Sequence, residues 1–301
     1  MKEIIGVCIP TYKREKQLKK LLIALSNQKK NESFEFEVLV VDNDKNKTAK
    51  KVIDNLDVDI NLHYYIEYQK GVSNVRNKCI EESKRKRYNY IAFIDDDELP
   101  NKDWLYNLYK TLHKYDADVV FGPVIATYSN EIPNWIIEGG FFERPRYKTG
   151  DKIDYSGSGN VLIDLDIIQN LDVKFDTFFN ESGGEDTDFF MIFNKNGANM
   201  VWCNEAIVSE PVDINRANPE WLYLRSFCAG SNFVLCEMKN NKSISTIIIR
   251  LIKGILHCAI GIYQLIISRK SITRRVRAKM KINIGIGQIV GILGRNKAKQ
   301  Y

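Results

Sequence analysis

Length and composition place the chain among globular proteins. It has 301 residues, of which 44% are hydrophobic and 27% charged. This mixture can build a sizeable core, so the disordered and fibrous classes are excluded. The six cysteines form no CxxC pair, which excludes structural-zinc spacing and a disulfide framework and indicates reduced thiols in a cytosolic setting. The apolar run at 4–9 is short and ends at Pro10, so we expect no signal peptide.

The net charge of +6 hides an asymmetry along the chain. Glu237 is the last acidic residue, and the segment from Lys239 to Tyr301 carries 14 of the 44 Lys and Arg residues. The rest of the chain has 30 basic and 38 acidic residues and is therefore acidic. A basic tail on an acidic body indicates that the tail meets an anionic partner while the body does something else.

The first 122 residues alternate between short apolar runs and segments with helical spacing. The runs predict strands, and segments in which apolar residues recur every three to four positions predict helices between them. In chain order the predicted strands are Ile4–Ile9, Phe36–Val41, Ile60–Tyr65, Tyr90–Ile94 and Val119–Phe121. The predicted helices are Arg14–Asn27, Lys47–Leu56, Gly71–Lys84 and Trp104–Tyr115.

This alternation predicts an α/β fold with a mostly parallel central sheet that helices cover on both faces. In such folds ligands bind beyond the carboxyl ends of the strands. Asp42 follows the second predicted strand and Asp95–Asp97 follow the fourth. We therefore expect these carboxylates at one edge of the sheet.

A second region, residues 123–238, has weaker patterning. Its predicted elements are an irregular stretch at 123–160, a glycine-rich strand at Ser156–Ile163, a helix at Thr187–Asn196 and short strands around Val201 and Val208.

The strongest chemical signal is the sequence Asp95-Asp96-Asp97-Glu98 directly after an apolar strand. Neighbouring like charges repel each other, so such a cluster is costly without a cation. Carboxylate oxygens suit Mg²⁺ or Mn²⁺, and either ion could bridge a diphosphate. The alternative is a solvated acidic turn that caps the next helix. The pattern favours the metal site.

Three further motifs stand where predicted helices begin. Pro10–Arg14 offers a hydroxyl and two cations suited to a phosphate or a base edge, or else an ordinary helix cap. Gly71 permits a close turn, and Arg76 inside the next helix can reach a diphosphate or stack on a base, or else lie at the surface. The carboxylates that end Gly183–Asp186 serve either as helix-dipole partners or as a general base.

Together the four motifs resemble those of the family-2 glycosyltransferases, which have the GT-A nucleotide-sugar fold. The order is that of the family: P-T-Y-x-R at Pro10–Arg14, an Asp after the second strand, G-x-x-x-x-R-N at Gly71–Asn77, the D-D-D turn and finally E-D. The resemblance covers about residues 4–235. The combination is specific although each motif alone is weak.

The resemblance implies a role for each matching residue. Pro10, Thr11 and Arg14 would line the nucleotide pocket, and Asp42 would hold the base. Arg76 would face the base or the diphosphate. The residues expected near the ribose, the metal and the sugar are Asp95, Asp96 and the stretch Gly157-Ser158-Gly159-Asn160.

The resemblance also implies the chemistry. Asp97 would be the principal ligand of a divalent Mn²⁺ or Mg²⁺ ion, with Asp95 as a second ligand. Asp186 would be the catalytic base, with Glu185 as the less favoured candidate. Such enzymes invert the anomeric carbon: the base takes the acceptor proton, and the metal neutralises the departing nucleoside diphosphate.

Two features mark subgroup differences. Many members have a His near the metal, whereas this chain has Glu210 at the comparable place, which leaves a third protein ligand open. The residues that resemble the pattern of a succinoglycan-type glucosyltransferase subgroup are Arg216, Trp221, Arg225 and Gly230. They could touch the acceptor, but for Trp221 a packing role is favoured.

The tail, residues 239–301, predicts membrane association. Within Ile247–Ile267 the strongly polar residues Arg250, Lys253, His257 and Gln264 fall within an arc of about 60° on a helix. This segment is long enough to span a bilayer, but each buried cation would cost about 2.5–3.5 kcal/mol. An in-plane helix with its cations toward the headgroups avoids this cost. A helix packed on the protein and a spanning helix remain alternatives.

Beyond this segment the tail carries seven cations at 269–281 and a second amphipathic stretch, Ile282–Leu293. These cations favour an anionic membrane surface. They could also bind nucleic acid, but an apolar stripe has no use on a duplex, so we expect no nucleic-acid partner.

The sequence therefore predicts a metal-dependent, inverting glycosyltransferase on the cytoplasmic face of the cell membrane. It would move a sugar from a nucleotide sugar, a UDP-sugar by family frequency, to a lipid-linked saccharide in surface polysaccharide synthesis. The predicted domains are a catalytic domain at 1–238, divided at 122 into nucleotide and acceptor halves, and the tail at 239–301. A sugar-nucleotide nucleotidyltransferase and a non-catalytic membrane-bound scaffold are the alternatives.

Overall fold

The computed structural model describes residues 2–241, 243–268 and 271–294. The protein folds into two compact units that interleave along the sequence. The first unit comprises Met1–Ile125, Arg144–Asn180 and Ile192–Glu210, and the second comprises Ala126–Glu143, Glu181–Met191 and Pro211–Tyr301. The functional division at residues 122 and 238 stays a prediction.

The strands in chain order are β1 Glu3–Thr11, β2 Phe34–Asp42, β3 Leu62–Ile66, β4 Tyr90–Ile94, β5 Leu99–Pro100, β6 Val119–Phe121, β7 Val124–Thr127, β8 Asn160–Asp164, β9 Met200–Trp202 and β10 Val208–Pro211. The helices are α1 Glu15–Ser26, α2 Thr48–Asp54, α3 Val72–Lys86, α4 Trp104–Tyr115, α5 Asn134–Gly139, α6 Leu165–Leu171, α7 Glu185–Lys195, α8 Pro219–Asn240, α9 Ile244–Ile267 and α10 Ile272–Ile292.

The main sheet of the first unit has the strand order β3-β2-β1-β4-β8-β6-β9. The pairs β1–β2, β2–β3, β1–β4 and β6–β9 are parallel, whereas β8 runs antiparallel to both β4 and β6. A smaller sheet has the order β5-β10-β7. The predicted α/β fold with a mostly parallel sheet is confirmed.

The strands of the main sheet form because their apolar runs are long enough to be buried on both faces. All five residues of β4 are buried, as are Ile5, Val7 and Ile9 of β1. Helix α1 packs on this sheet through a stripe of four fully buried leucines, Leu18, Leu21, Leu22 and Leu25. The core of the first unit therefore lies between the sheet and its helices.

The register of the sheet brings the predicted site residues to one edge. Thr11 at the end of β1 pairs with Asp42 at the end of β2. Ile94 at the end of β4 pairs with Asn160, the first residue of the antiparallel β8. The carboxyl ends of β1, β2 and β4 and the start of β8 thus meet at the same edge, where ligands bind in open α/β sheets.

Three expectations about the region after residue 122 were wrong. Residues 123–160 are not wholly irregular, since they contain β7 and α5. The glycine-rich segment begins its strand at Asn160, four residues later than expected, because 156–159 form the loop that reaches the carboxylate cluster. Helix α7 begins at Glu185 rather than at Thr187, so both candidate base residues lie in its first turn.

The second unit is built on three long helices, α8, α9 and α10. Helix α8 went unpredicted, and the amphipathic stretch expected at Ile282–Leu293 is the second half of the single helix α10. A Cβ atom at Gly287 would lie 2.2 Å from the carbonyl oxygen of Phe227 in α8. A Cβ atom at Gly285 would lie 2.5 Å from the carbonyl oxygen of Gly254 in α9. These glycines are therefore points at which the backbone of α10 contacts the neighbouring helices.

The polar stripe of α9 faces these neighbours. Arg250 forms a two-pronged ion pair with Glu237 of α8 and lies over the ring of Phe233, at 4.6 Å from its centre. His257 donates from Nδ1 to Oε1 of Gln288 in α10 at 3.1 Å. The expectation that the cations of α9 point toward headgroups was therefore wrong for Arg250, because Glu237 supplies a nearer anion. Arg269 and Lys270, two of the seven predicted cations, lie outside the described residues.

Candidate active site

The aspartate turn after β4 is held by the first helix-start motif. Thr11 Oγ1 donates to Asp96 Oδ2 at 2.7 Å. Nη1 of Arg14 donates to Asp96 Oδ1 at 2.8 Å and to Asp97 Oδ2 at 2.6 Å. The contacts link residues more than 80 positions apart and bring two of the four predicted motifs together. Pro10 lies in β1 beside Thr11 and pairs in register with Val41.

The electrostatics of this cluster are strongly perturbed. Burial raises the pKa of Asp96 to about 6, although Arg14 and Thr11 stabilise the ionised form and oppose the shift. Burial lowers the pKa of Arg14, but the carboxylates of Asp96 and Asp97 outweigh it and raise this pKa above its ordinary value. Arg14 is therefore permanently charged, while Asp96 changes its charge slightly below neutral pH.

Glu98 stabilises the backbone of the aspartate turn. Its Oε2 accepts a hydrogen bond from the backbone N–H of Asp95 at 3.0 Å, and its own N–H donates to the Asp95 carbonyl. Burial, with the nearby charge of Asp95, raises the pKa of Glu98 well above its ordinary value and favours the neutral acid. A Cβ atom at Gly159 would lie 2.6 Å from Glu98 Oε1 and 3.1 Å from Asp95 Oδ2. Glycine is therefore required there for the loop before β8 to pass the carboxylates.

Arg76 belongs to the same cluster. Its guanidinium lies 3.3 Å from Asp95 Oδ1 and 5.6 Å from the ring centre of Phe175, with little of the side chain exposed. Helix α3 begins after Gly71, whose φ of 127° is available to glycine and where a Cβ atom would meet the Asn180 side chain at 2.2 Å. Asn180 Oδ1 accepts from the N–H of Ser73 and satisfies the start of the helix. The expected close turn at Gly71 is confirmed.

Asp42 is fully buried at the end of β2. Its oxygens accept from the N–H groups of Asp44 and Ala49, at 2.8 and 3.1 Å, and from the hydroxyl of Tyr64 at 3.0 Å. These contacts shape the loop that follows the strand. Its role in holding the base stays a prediction, and its carboxylate is already engaged by the protein.

Asn43 is a site residue that the sequence reasoning missed. Its Nδ2 donates to the carbonyls of Glu67 and Gln69, and its Oδ1 accepts from the N–H of Gly71 at 3.1 Å. One side chain thus joins the end of β2 to the loop that leads into α3. The signal was its place between Asp42 and Asp44 at the end of a buried strand.

Asn160 is buried, and each polar atom of its amide is used within the protein. Its Oδ1 accepts from Trp104 Nε1 at 2.8 Å, and its Nδ2 donates to the carbonyls of Pro123 at 3.0 Å and Ala206 at 2.7 Å. The amide therefore joins α4 to two loops at the edge of the sheet. Its predicted contact with the donor stays a prediction.

The carboxylates fit a metal ion that is shared with a ligand. Among the described residues, no group of three or more His, Cys, Asp or Glu side chains is arranged to hold a metal ion. Asp95 and Asp97 are the members of the turn with appreciable exposure, whereas Asp96 is buried. Two accessible carboxylates suit Mg²⁺ or Mn²⁺, which are bound through one or two carboxylates together with substrate phosphates.

The candidate base residues lie in the second unit at the start of α7. Glu185 is buried and Asp186 is half-buried, so Asp186 is the more accessible carboxylate. Asp186 Oδ1 accepts from the backbone N–H of Thr187 at 2.7 Å. The preceding Gly183 and Gly184 have φ values of 77° and 100°, a conformation that side-chain-bearing residues rarely adopt.

Helix α8 holds this helix start in place. Asn232 Nδ2 donates to the carbonyl of Ser182 at 2.6 Å. Asp188, fully buried in α7, accepts from Lys239 Nζ at 2.6 Å and from Asn240 Nδ2 at 2.9 Å. Helix α8 therefore fixes both the loop before α7 and the first turn of α7. This support was not predicted, because α8 itself went unpredicted.

Glu210 and the residues of the succinoglycan-type pattern are engaged within the protein, in an ion pair or in packing contacts. Glu210, at the place where the resemblance implied a His in many members, forms an ion pair with Arg144. In the second unit, Trp221 stacks on Phe142 at 5.6 Å between ring centres, and the guanidiniums of Arg216 and Arg225 lie over its ring. The packing role favoured for Trp221 is therefore observed. Gly230 lies against the Ile284 carbonyl, at 2.3 Å from where its Cβ would stand.

Comparison with known proteins extends these observations. The family described as Glycosyl transferase family 2 matches residues 6–170. The succinoglycan biosynthesis protein ExoM of Rhizobium meliloti (strain 1021) is 31% identical over 301 residues, which cover 99% of this chain and 94% of that protein. The chondroitin synthase of Escherichia coli is 30% identical over 121 residues, which cover 40% of this chain and 17% of that protein.

The fold is also that of solved structures. The S. aureus TarS fragment 1–349 in complex with UDP-GlcNAc aligns with a TM-score of 0.58 and 16% identity, covering 99% of this chain and 93% of that one. At this identity the likeness concerns the fold.

The sequence comparisons go further, because the family match spans more than half of the chain and the similarity to ExoM spans nearly all of it. They favour a glycosyltransferase over the nucleotidyltransferase and the non-catalytic scaffold. The chain belongs to glycosyl transferase family 2.

Proposed function

We propose that the protein is an inverting, metal-dependent glycosyltransferase that moves a sugar from a UDP-sugar to a lipid-linked saccharide in polysaccharide synthesis. The observation that carries the proposal is the convergence of Thr11, Arg14, Arg76 and the turn Asp95–Asp97 at one edge of the main sheet. The edge combines two guanidiniums with accessible carboxylates. This is the chemistry that a nucleoside diphosphate and its cation require.

These charges indicate how the nucleotide-sugar donor would bind. Arg14 and Arg76 are the cations beside the turn, and both already contact its carboxylates. A bound diphosphate would compete for their guanidiniums, and Asp97 would then be released toward the cation. Uridine is favoured as the nucleoside because TarS, which has the same fold, is the protein of a UDP-GlcNAc complex. The similarity to a succinoglycan biosynthesis protein supports polysaccharide synthesis as the pathway class.

Asp97 and Asp95 would hold the Mn²⁺ or Mg²⁺ ion. When bound, such an ion neutralises charge on the departing diphosphate. Thr11 and Arg14 keep Asp96 oriented, and Glu98 fixes the backbone of Asp95, so the turn keeps its shape when the ligand arrives. In this proposal the accessible Asp95 and Asp97 bind the ion, and the buried Asp96 and Glu98 hold the turn in shape.

Asp186 would accept the proton of the acceptor hydroxyl while that oxygen attacks the anomeric carbon. The bond to the diphosphate oxygen breaks as the new glycosidic bond forms, and the configuration inverts. A positioned base contributes about 10²–10⁴-fold to the rate. The contacts of α8 with Ser182 and Asp188 support this role, because a base must be held in register with the attacking oxygen. We assign the reaction to the cytoplasmic face of the cell membrane, where residues 239–301 would attach the protein.

The test is release of nucleoside diphosphate from UDP-sugars with a membrane extract as the acceptor source and Mn²⁺ present. We expect Asp186→Asn to lower turnover at least about 100-fold while UDP with Mn²⁺ still raises the melting temperature. We expect Asp97→Ala to abolish the manganese-dependent part of that shift. Asp172→Asn is the matched control, because this exposed residue adopts a left-handed conformation that Asn tolerates.

Each part of the proposal has its own contrary result. Release of pyrophosphate instead of nucleoside diphosphate would identify a nucleotidyltransferase. Full turnover by Asp186→Asn would remove that residue from the reaction. The absence of any thermal shift with saturating UDP and Mn²⁺ would refute nucleotide binding at the edge of the sheet.

A further inference from the structure

Helix α9 is oriented with its apolar side outward. Twelve of its 24 residues are large apolar side chains with at least 41% of their surface exposed. They are Ile244, Ile248, Ile249, Leu251, Ile252, Ile255, Leu256, Ile260, Ile262, Tyr263, Ile266 and Ile267. We call this set the α9 face. It runs along the whole helix, about 36 Å at 1.5 Å per residue.

The opposite side of α9 packs against α8 and α10. Arg250 is paired with Glu237, His257 is bonded to Gln288, and the two helix glycines, Gly254 and Gly261, contact α10. A soluble helix buries its apolar side and exposes its polar side. Helix α9 does the reverse, so its burial within the protein cannot account for its apolar residues.

The charge around the α9 face indicates what covers it. Helix α9 contains no acidic residue, and Lys253 is the one charged residue among its exposed positions. In sequence the helix is preceded by Lys242 and followed by Arg269 and Lys270. An apolar helix that has no acidic residue and is flanked by cations in sequence is complementary to an anionic bilayer, in which acyl chains meet the apolar face and headgroups meet the cations.

The packing of α10 decides how the face meets the bilayer. By length and composition α9 could cross a membrane, and among the described residues it is the one helix that could. However, α10 lies against α9 through backbone contacts and exposes Arg274, Arg275 and Lys279. A crossing would place the exposed Lys253, close to the middle of α9, in the hydrocarbon at about 2.5–3.5 kcal/mol, and it would draw the nearby Lys279 of α10 in with it. An in-plane position avoids this cost.

We propose that the α9 face is a membrane-docking surface that lies in the plane of an anionic bilayer, sunk about 5–10 Å into the boundary between headgroups and acyl chains. A second copy of the chain is a poorer occupant, because pairing two such faces would bring the two basic tails together. Docking adds the mode of attachment to the proposed function and does not depend on the transfer reaction, since vesicle binding needs neither donor nor acceptor.

The experiment is flotation of the full-length protein with phosphatidylcholine vesicles, with and without phosphatidylglycerol. The variant Ile255→Asp/Ile262→Asp places two charges on the face, and Ile214→Asp is the matched control at an exposed isoleucine outside α9. We expect the double variant to lose at least about tenfold in partitioning per substitution, because each isoleucine loses its apolar burial. The control should float like the wild type. Urea midpoints of all three proteins should agree, because the replaced side chains are exposed in the free protein.

Depth measurements separate the in-plane helix from a spanning one. Ile248→Trp, Ile255→Trp and Ile266→Trp report the two ends and the middle of α9 through quenching by lipids brominated at shallow or deep acyl positions. Equal shallow quenching at all three supports docking, and deep quenching at 255 alone overturns it. Unchanged flotation of the double variant also overturns it, as does a vesicle-free dimer that the double variant dissociates.

Discussion

Asp96 provides a prediction in which stability and pH are linked with a definite sign. Burial raises its pKa to about 6 in the folded protein, against an ordinary value of 3.8. The native state therefore holds this proton more tightly than the unfolded chain does. The contribution of Asp96 to the free energy of unfolding is therefore largest in acid. It declines as the pH rises through the interval between the two pKa values.

The magnitude follows from linkage. Between pH 5 and pH 7.5 this group alone should lower the free energy of unfolding by about 1.4 kcal/mol. Asp96→Asn has no proton to release and should lack this contribution. The difference between wild type and variant reports Asp96 together with its electrostatic interactions with Asp97 and Arg14.

The assay is urea unfolding at pH 5 and pH 7.5 with EDTA present, so that no divalent ion contributes. Asp172→Asn, an exposed carboxylate, serves as the control and should keep the wild-type pH dependence. An Asp96→Asn variant that retains the full wild-type dependence would show that burial does not govern this carboxylate. Burial would then not account for the charge states of the other carboxylates in the cluster either.

Three further predictions concern packing and support. Asn160→Leu leaves Trp104 Nε1 without its acceptor and removes the side-chain donor to the carbonyls of Pro123 and Ala206, although Pro123 keeps the N–H of Val208, and should cost about 2–3 kcal/mol in urea unfolding. An unchanged stability with weakened donor binding would assign the amide to the ligand instead. Gly287→Ala forces a methyl group against a backbone carbonyl of α8 and should destabilise the protein by about 1–3 kcal/mol, measured by the shift of the urea midpoint. Lys239→Met removes a cation from the fully buried Asp188, and we expect turnover to fall with little change in the KM for the donor. A raised KM alone would contradict the proposed link between this ion pair and the candidate base Asp186.

The bounds of strands and helices were predicted best where a short run of residues is completely buried. The bounds of β4, α4 and β6 agree with the predicted Tyr90–Ile94, Trp104–Tyr115 and Val119–Phe121. The other predicted elements of the first 122 residues shift by one or two positions at each end, and the two-residue strand β5 was not predicted. Continuous apolar strands and regular apolar helix stripes are local signals, so they can be interpreted without knowledge of the partner.

What escaped prediction depends on partners that are distant in sequence. The antiparallel direction of β8 is set by β4 and β6, and no residue of β8 itself encodes it. Helix α8 mixes Gly230 and Ser231 with apolar residues because its side toward α10 is packed by backbone, which weakens its helical pattern. The ion pair between Arg14 and Asp96 joins two motifs whose chemistry was recognised, but sequence spacing could not say that they touch.

The packing of α10 has a practical consequence for anyone who shortens this chain. Ending it at the predicted boundary of 238 would strip α8 of the helix that its glycine contacts require, and it would also remove Lys239 and Asn240, which hold Asp188 beneath the candidate base. A fragment cut there to gain solubility would lose activity through collapse of the catalytic scaffold even with a soluble acceptor. Inactivity of such a fragment is therefore no measure of whether the enzyme needs a membrane.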